Sequence, residues 1–411
     1  MEELFINLEF EVKFLLQIFI RFKRKEEKMF DYIIVGAGLA GCVLAERIAS
    51  AGKQVLVIEK KNHIGGTCYD CYDNNGLLIH KYGPHIFNTD DEKVWSYINQ
   101  FTEFEIYHHR VLGVVEGKKV PIPFNLESLY KLFPYSYSEL LERKLLQKYG
   151  MNTKVPIMDL LMQEDADLKC LAEYIYEHVF LHYTEKQWGM DPETVGGAAM
   201  ARIPFYISRD DRYFQKRFQG IPKYGYTKTF ENMLNNPHIH VLLNTDYNEI
   251  MHLDAKKKQI LLGSVPFEGK IIFTCALDEL FDYCYGELPY RTLDFKFETY
   301  NKEYFQEICT VNYPNNYEFT RITEFKYMTG QKHPCTTIVK EFPKQYDRMD
   351  KQHDPYYPIP KKENEALYAK YMKLSKEYSN LVLTGRLADY KYYTMSDTIA
   401  AALNVYNELI K

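Results

Sequence analysis

The stretch Asp31 to Lys60, DYIIVGAGLAGCVLAERIASAGKQVLVIEK, constrains the fold more than any other part of the chain. Tyr32 to Val35 is a short apolar, β-branched run of the kind that forms a strand buried on both faces. Gly36, Gly38 and Gly41 follow in the spacing G-x-G-x-x-G, and a helical pattern then runs to Ala49. Gly52 breaks it, and Gln54 to Ile58 reads as a second buried strand. Glu59 closes that strand, roughly 20 residues after the glycines. Each part has a physical purpose in holding a dinucleotide. Gly36 permits the tight turn, Gly38 lets the backbone approach a pyrophosphate, and Gly41 lets helix and sheet pack closely. Free N–H groups at the helix start hold phosphate charge, and Glu59 is placed to accept hydrogen bonds from an adenosine ribose. A G-x-G-x-x-G alone is weak. The complete strand–turn–helix–strand–acid unit predicts a Rossmann-like α/β domain.

The residues after Glu59 sharpen the cofactor. KKNHIGGTCYD brings the doublet Gly65-Gly66, which lets the chain pass where a side chain would clash with a ligand. A doublet in this place resembles FAD-binding flavoproteins more than simple NAD dehydrogenases, so FAD is expected. In HKYGPHIFNTDDEKVW, Gly83-Pro84 breaks structure, which places His85 on a loop and Asp90 as the cap of a helix running through Phe101.

The remaining chain divides by pattern. Residues 106–124 read as a hairpin, and Leu126 to Trp188 shows apolar spacings of three and four, a helical insertion. Residues 197–230 are irregular and rich in charge, rings and glycine; Arg202, Arg209, Arg212 and Arg217 there either hold an anion or solvate a loop, and the segment suits a lid. Residues 292–342 look antiparallel. Near the end a buried strand stops at Gly385-Arg386, with a helix beginning near Ser396-Asp397 that offers a second phosphate or ribityl contact. The expected division is an FAD-binding domain from residues 29–105, 215–275 and 360–411, a helical domain at 126–190, and an antiparallel-sheet substrate domain from 106–125, 191–214 and 276–359. The apolar part of residues 1–28 is too short to span a bilayer; the segment reads as an amphipathic surface helix or, preferred, as a leader outside a fold that begins at Met29.

Composition excludes more than it selects. The 411 residues allow two or three domains, and a net charge of −5 gives no basic footprint for nucleic acid. Among the eight cysteines only Cys68 and Cys71 form a C-x-x-C, and no second pair or spaced histidines complete a zinc site, so no metal is expected and reduced cytoplasmic thiols fit best. With 36 tyrosines against 2 tryptophans, most phenols must be core, but a site that grips rings and polar groups is well supplied.

GAGLAG, IGGTCYD, HKYGPHIFNT, VPIPFN, YTEKQWG, ARIPF, DDRYF, FQGIPKYGY, FTRITEFKYM, DPYYPI and TGRLADYKYY, ordered from Met29 to the C-terminus, together resemble the bacterial UDP-galactopyranose mutase family. The resemblance implies interconversion of UDP-galactopyranose and UDP-galactofuranose through a covalent sugar adduct on reduced FAD, with no net redox change. It implies an NAD(P)H or other reductant to keep the flavin reduced, a homodimer, and no integral membrane span. It assigns Arg202 and Arg321 to the diphosphate, with Tyr213, Tyr357 and Tyr392 adding phenol donors. Tyr183 and Trp188 are to hold the uridine with Phe180 as a neighbour, His85 is to lie by the flavin, and Arg386 is to help position FAD. Two departures stand out. Asn88 replaces a second histidine, and Thr394 and Ser396 stand where the family has DMD, with Asp397 a candidate to compensate. The competing readings are an amine-oxidase-type flavin oxidoreductase and a UDP-sugar-binding paralogue with altered activity.

Overall fold

The computed structural model describes residues 29–189, 204–350 and 352–410; residues 1–28 and Arg202 lie outside these. Tyr32–Val35 is the middle strand of a five-stranded sheet in the order Ile239–Leu242, Val55–Ile58, Tyr32–Val35, Lys270–Phe273, Leu381–Leu383. Every neighbouring pair is parallel. The unbroken apolar runs follow from this geometry. Ile33, Val35, Leu56 and Ile58 enter one core with Phe273, Leu277 and Tyr371. Tyr32, Ile34, Val55 and Val57 enter the opposite core with Val43, Leu44 and Ile399. Helices Leu39–Ser50 and Met395–Leu409 pack together over that second face. One dinucleotide-type layer is therefore assembled from three distant parts of the chain.

A second sheet has seven strands, ordered Tyr357–Pro358, Tyr290–Tyr300, Thr336–Gln345, Arg321–Glu324, Thr310–Asn312, Val111–Val115, Lys118–Ile122. It is antiparallel except where Thr310–Asn312 meets Val111–Val115, which run parallel. That register sets Asn312 opposite Arg321, and Arg321 opposite Glu341 on its other side.

The helical unit runs through Leu126–Leu132, Tyr135–Tyr149, Ile157–Leu161 and Ala166–Ile175, then a π-helical stretch Tyr176–Leu181, and ends in His182–Trp188. Asn125 starts it with a capping box to Ser128. Leu168, Leu171, Ala172 and Ile175 recur at helical spacing and are buried with Leu141 and Leu145, so one apolar face per helix builds this core.

Two local expectations differ from the structure. The cap after the His85 loop is Asp91, which accepts from Lys93 N and Val94 N, and the helix is only Glu92–Ile98. Asp90 instead accepts from Lys216 Nζ and Arg217 N, which removes it from the cap. Pro204–Ile207, expected in the antiparallel sheet, pairs with Thr153–Pro156, because Phe205 and Ile207 are apolar and bury in the helical core. Among the described residues no helix is long and apolar enough to cross a membrane.

Candidate active site

The glycine turn shows what its residues are for. Gly36 sits at φ +100°, and a Cβ there would stand 2.3 Å from Thr274 Oγ1. At Gly41 a Cβ would stand 2.0 Å from the Gly36 carbonyl oxygen, so helix and turn can approach only without a side chain. Gly66 is held against Gly38, where a Cβ would meet Gly38 Cα at 2.9 Å, and Gly65 is packed under the Phe230 ring. Gly38 is different. A Cβ on it would touch protein only at ordinary contact distance, 3.9 Å from Gly66 Cα, although the residue lines the cavity. The bare backbone there leaves room for a ligand, not for protein. The helix it caps has no acidic residue in its first turn and no side-chain cap, so its N–H groups face the cavity uncompensated.

Glu59 closes the turn chemically. It is buried, and Oε2 accepts from Ala37 N at 2.8 Å while Oε1 accepts from Lys61 N at 2.9 Å. Each oxygen keeps a further lone pair for a ribose hydroxyl. The cradle, the uncompensated helix start and this acid fit the pyrophosphate and ribose of FAD.

A single cavity of about 510 Å³ runs from Glu59 and Lys60 past Gly36, Gly38 and Gly66 to His85, then to Arg386, Arg321, Tyr213, Tyr357 and Tyr392. Residues separated by more than 350 positions thus share one wall system. His85 Nδ1 lies 2.9 Å from the Gly83 carbonyl, which places the proton on Nδ1 and leaves Nε2 as an acceptor. Burial, with His80 adding to it, pushes its pKa down to about 3. His85 is a neutral imidazole.

Arg321 Nε stands 3.1 Å from Glu341 Oε2, close enough for a strong ion pair although the N–H is not aligned for a hydrogen bond. Glu341 is 2% exposed. Burial opposes the charge on Arg321, but Glu341 and the phenols of Tyr183, Tyr357 and Tyr213 outweigh it and raise its pKa. Burial pushes Glu341 up, with Arg321 pulling the other way. Burial also raises Tyr183 and Tyr357 and pushes Tyr213 up to about 12, so these phenols stay protonated donors beside a permanent cation. Tyr357 stacks on Tyr392 with centroids 5.5 Å apart, the Arg386 guanidinium lies 5.6 Å from the Tyr357 ring, and the Trp188 ring lies 6.5 Å from it.

Several expected residues stand elsewhere. Phe180 lies in the π-helical stretch Tyr176–Leu181 and is 5% exposed, packed into the helical core. Gly41 and Gly65 support the cradle from behind. Arg209 pairs with Glu127 and Glu142, Arg212 with Asp210, and Arg217 with Glu92, so these three are surface ion pairs and not anion ligands. Thr394 lines the cavity and caps Met395–Leu409, while Asp397 folds back to accept from Thr394 Oγ1 at 2.7 Å and does not take up the missing acid's place.

Other residues escape the sequence. His109 lines the cavity, its carbonyl accepts Tyr213 N at 2.7 Å, and burial pushes its pKa down to about 3. Asn312 lines it from the strand beside Arg321. Arg291 donates from Nε to the Gln187 carbonyl and from a terminal nitrogen to the Lys186 carbonyl, both at 3.1 Å, which ties down the end of the Trp188 helix. Arg291 and Asn312 carry a local signal, a polar residue within a strand, whereas His109 lies in the loop before Val111–Val115 and carries none.

The UDP-galactopyranose mutase family model matches residues 178–392, and a NAD(P)-binding Rossmann-like domain matches residues 34–101. UDP-galactopyranose mutase of Mycoplasma genitalium is 34% identical over 93% of this chain and 95% of its own length. The dTDP-fucopyranose mutase of Escherichia coli is 35% identical over 93% of this chain and 99% of its own. A crystal structure of reduced UDP-galactopyranose mutase superposes with a TM-score of 0.71 at 14% identity, covering 93% of this chain and 94% of that one; at that identity the likeness speaks for the fold. With a third of its residues shared with an established member along almost the whole of both chains, this chain belongs to the UDP-galactopyranose mutase family.

Proposed function

We propose that this enzyme interconverts UDP-galactopyranose and UDP-galactofuranose with reduced FAD bound in the glycine cradle. The observation that carries the reading is the juxtaposition of Arg321, backed by buried Glu341 and ringed by protonated phenols, with that cradle in one cavity. A hydride-transferring oxidase has no use for a diphosphate clamp beside its flavin. Reduced FAD, when bound, supplies a nucleophile for the anomeric carbon, so that the sugar ring can open and reclose with no net change of oxidation state.

The chain's own residues do the rest. Arg321 pairs with Glu341 through its Nε edge, which leaves the two terminal nitrogens to fork onto the diphosphate. Tyr213, Tyr357 and Tyr392 donate to the same phosphate oxygens. Charge on the diphosphate grows as UDP departs, so these donors favour the departing state over bound substrate and raise rate as well as affinity. Arg202 is assigned to the same group. Trp188 stacks on the uracil with Tyr183 alongside. His85, neutral with Nε2 as acceptor, faces the reacting end, and Arg386 steadies the cofactor across the Tyr357 ring.

Arg321→Ala, with FAD retained, tests the assignment: turnover is expected to fall by roughly 100-fold or more. Near-normal turnover overturns it. A second reading concerns the substrate alone. A relative of similar identity is named for a dTDP-fucopyranose, and Asn88 and Thr394, which stand where the resemblance expects a histidine and an acid, line the cavity. Competition between UDP-galactofuranose and the corresponding dTDP-6-deoxy sugar decides between them. The reductant is an NAD(P)H-dependent or other donor, and the enzyme works as a cytoplasmic homodimer; these follow from the family resemblance and are checked by stopped-flow reduction and light scattering.

A further inference from the structure

The helix His182–Trp188 and the hairpin between Thr310–Asn312 and Arg321–Glu324 belong to different units of the fold. One carries Tyr183 and Trp188, and the other ends in Asn312 and Arg321. Among the described residues, one side chain of this helix hydrogen-bonds to the hairpin. Lys186 Nζ donates to the carbonyls of Tyr313 at 2.5 Å, Tyr317 at 3.1 Å and Phe319 at 3.3 Å. No carboxylate pairs with this ammonium among the described residues. Three N–H donors meet three carbonyl oxygens, a match that an ammonium makes and a guanidinium fork does not. The hairpin is otherwise closed by Tyr313 N to Thr320 O at 2.8 Å, and Asn315 adds one bond to the His178 carbonyl, also 2.8 Å. The helix's other side is fixed by Arg291. Arg291 ties the helix to the Tyr290–Tyr300 strand of the same sheet, and Lys186 ties it to the hairpin itself.

We infer that Lys186 is a positioning residue for nucleotide recognition, which sets the separation between the base-stacking Trp188 and the diphosphate-binding Arg321. The inference rests on the UDP-sugar reading above. A nucleoside diphosphate has a fixed span between its base and its phosphates. A clamp whose two halves drift apart can satisfy one end only, and it loses binding common to substrate and transition state. A residue that merely stabilised the fold would not separate KM from kcat in this way.

The chain has two tryptophans, so Trp95→Phe leaves Trp188 as the sole indole reporter. In that background, holoenzyme with Lys186→Met keeps the aliphatic stem and loses the charge. UDP titrated against Trp188 fluorescence is expected to show roughly tenfold weaker binding, the loss of a little over one kilocalorie's worth of positioning. KM should rise by a similar factor while kcat stays within about threefold of the parent, the pattern of lost uniform binding. FAD absorbance should be unchanged. Should Lys186→Met lose its cofactor or unfold, Lys186→Gln, with two donors in place of three, is read by the same measurements. UDP affinity within about twofold of the parent, or a fall in kcat at constant KM, overturns the inference. Failure of the parent protein itself to bind UDP overturns the functional reading instead.

Discussion

Arg321 and Glu341 show what single residues contribute. A buried ion pair is not in itself a strong source of stability, since taking two charges out of water costs about what their attraction returns. Its value here is directional, because a carboxylate at Nε fixes which edge of the guanidinium faces the cavity. Glu341→Gln, nearly isosteric, is therefore expected to lower kcat/KM about tenfold through misaimed Arg321, while FAD content holds. Steady-state kinetics beside the absorbance ratio at flavin and protein wavelengths check this. Arg321 stands out in the sequence by its distinctive motif and lines the cavity, whereas Glu341 does not stand out, because strand register across a sheet is not written locally. Buried histidines make a separate prediction. His80 is 1% and His109 4% exposed, and burial pushes them down to about 4 and about 3. In the unfolded chain they take a proton near pH 6.5. Below that pH the unfolded state binds more protons than the native one, so stability is full above about 6.5 and falls as pH drops towards 4. Each contributes a slope of about 1.4 kcal/mol per pH unit. Urea midpoints between pH 7 and 4.5 measure it, and a midpoint flat over that range contradicts it.

At the scale of elements, the glycine turn separates two duties that one motif hides. Gly41 faces protein and Gly38 faces the cavity. Gly41→Val should fail to fold, because its side chain has no space. Gly38→Val should give a folded protein with a normal melt that purifies with little FAD. Far-UV circular dichroism and the flavin absorbance ratio distinguish them, and equal behaviour of the two variants contradicts the division. The C-terminal helix offers a milder case. Thr394 caps it in a reciprocal box with Asp397, so Thr394→Ala is expected to cost about 1 kcal/mol in chemical unfolding. The parallel sheet and the long helices were readable in the sequence because their signals are local: apolar runs, breaks, caps and periodicity. The π-helical stretch was not. An extra residue in a turn leaves the apolar pattern looking helical, and Phe180 within that stretch is buried in the helical core. Asp91 in place of Asp90 as the cap is the same kind of near miss, decided by which acid is drawn off to Lys216.

For the whole molecule, the lesson is how one cavity collects residues from Gly36 to Thr398. The cofactor layer recruits its strands from three distant stretches, and the intervening chain forms the units that bring Arg321, the phenols and Trp188 towards it. Legibility follows the same divide. The dinucleotide unit could be derived from residues 31–60 alone. The gathering of Tyr213, Arg321, Tyr357 and Tyr392 in one cavity could be expected only by resemblance, since nothing in their spacing shows that they meet. The central claim is that the flavin serves as a reduced nucleophile in an isomerisation and is not consumed as a hydride carrier. It is tested most directly by incubating the dithionite-reduced holoenzyme with UDP-galactofuranose under anaerobic conditions, following product by chromatography and flavin by absorbance. Catalytic formation of UDP-galactopyranose is expected while the flavin stays reduced; substrate-dependent flavin reoxidation, or bound substrate left unconverted, would overturn the isomerase reading.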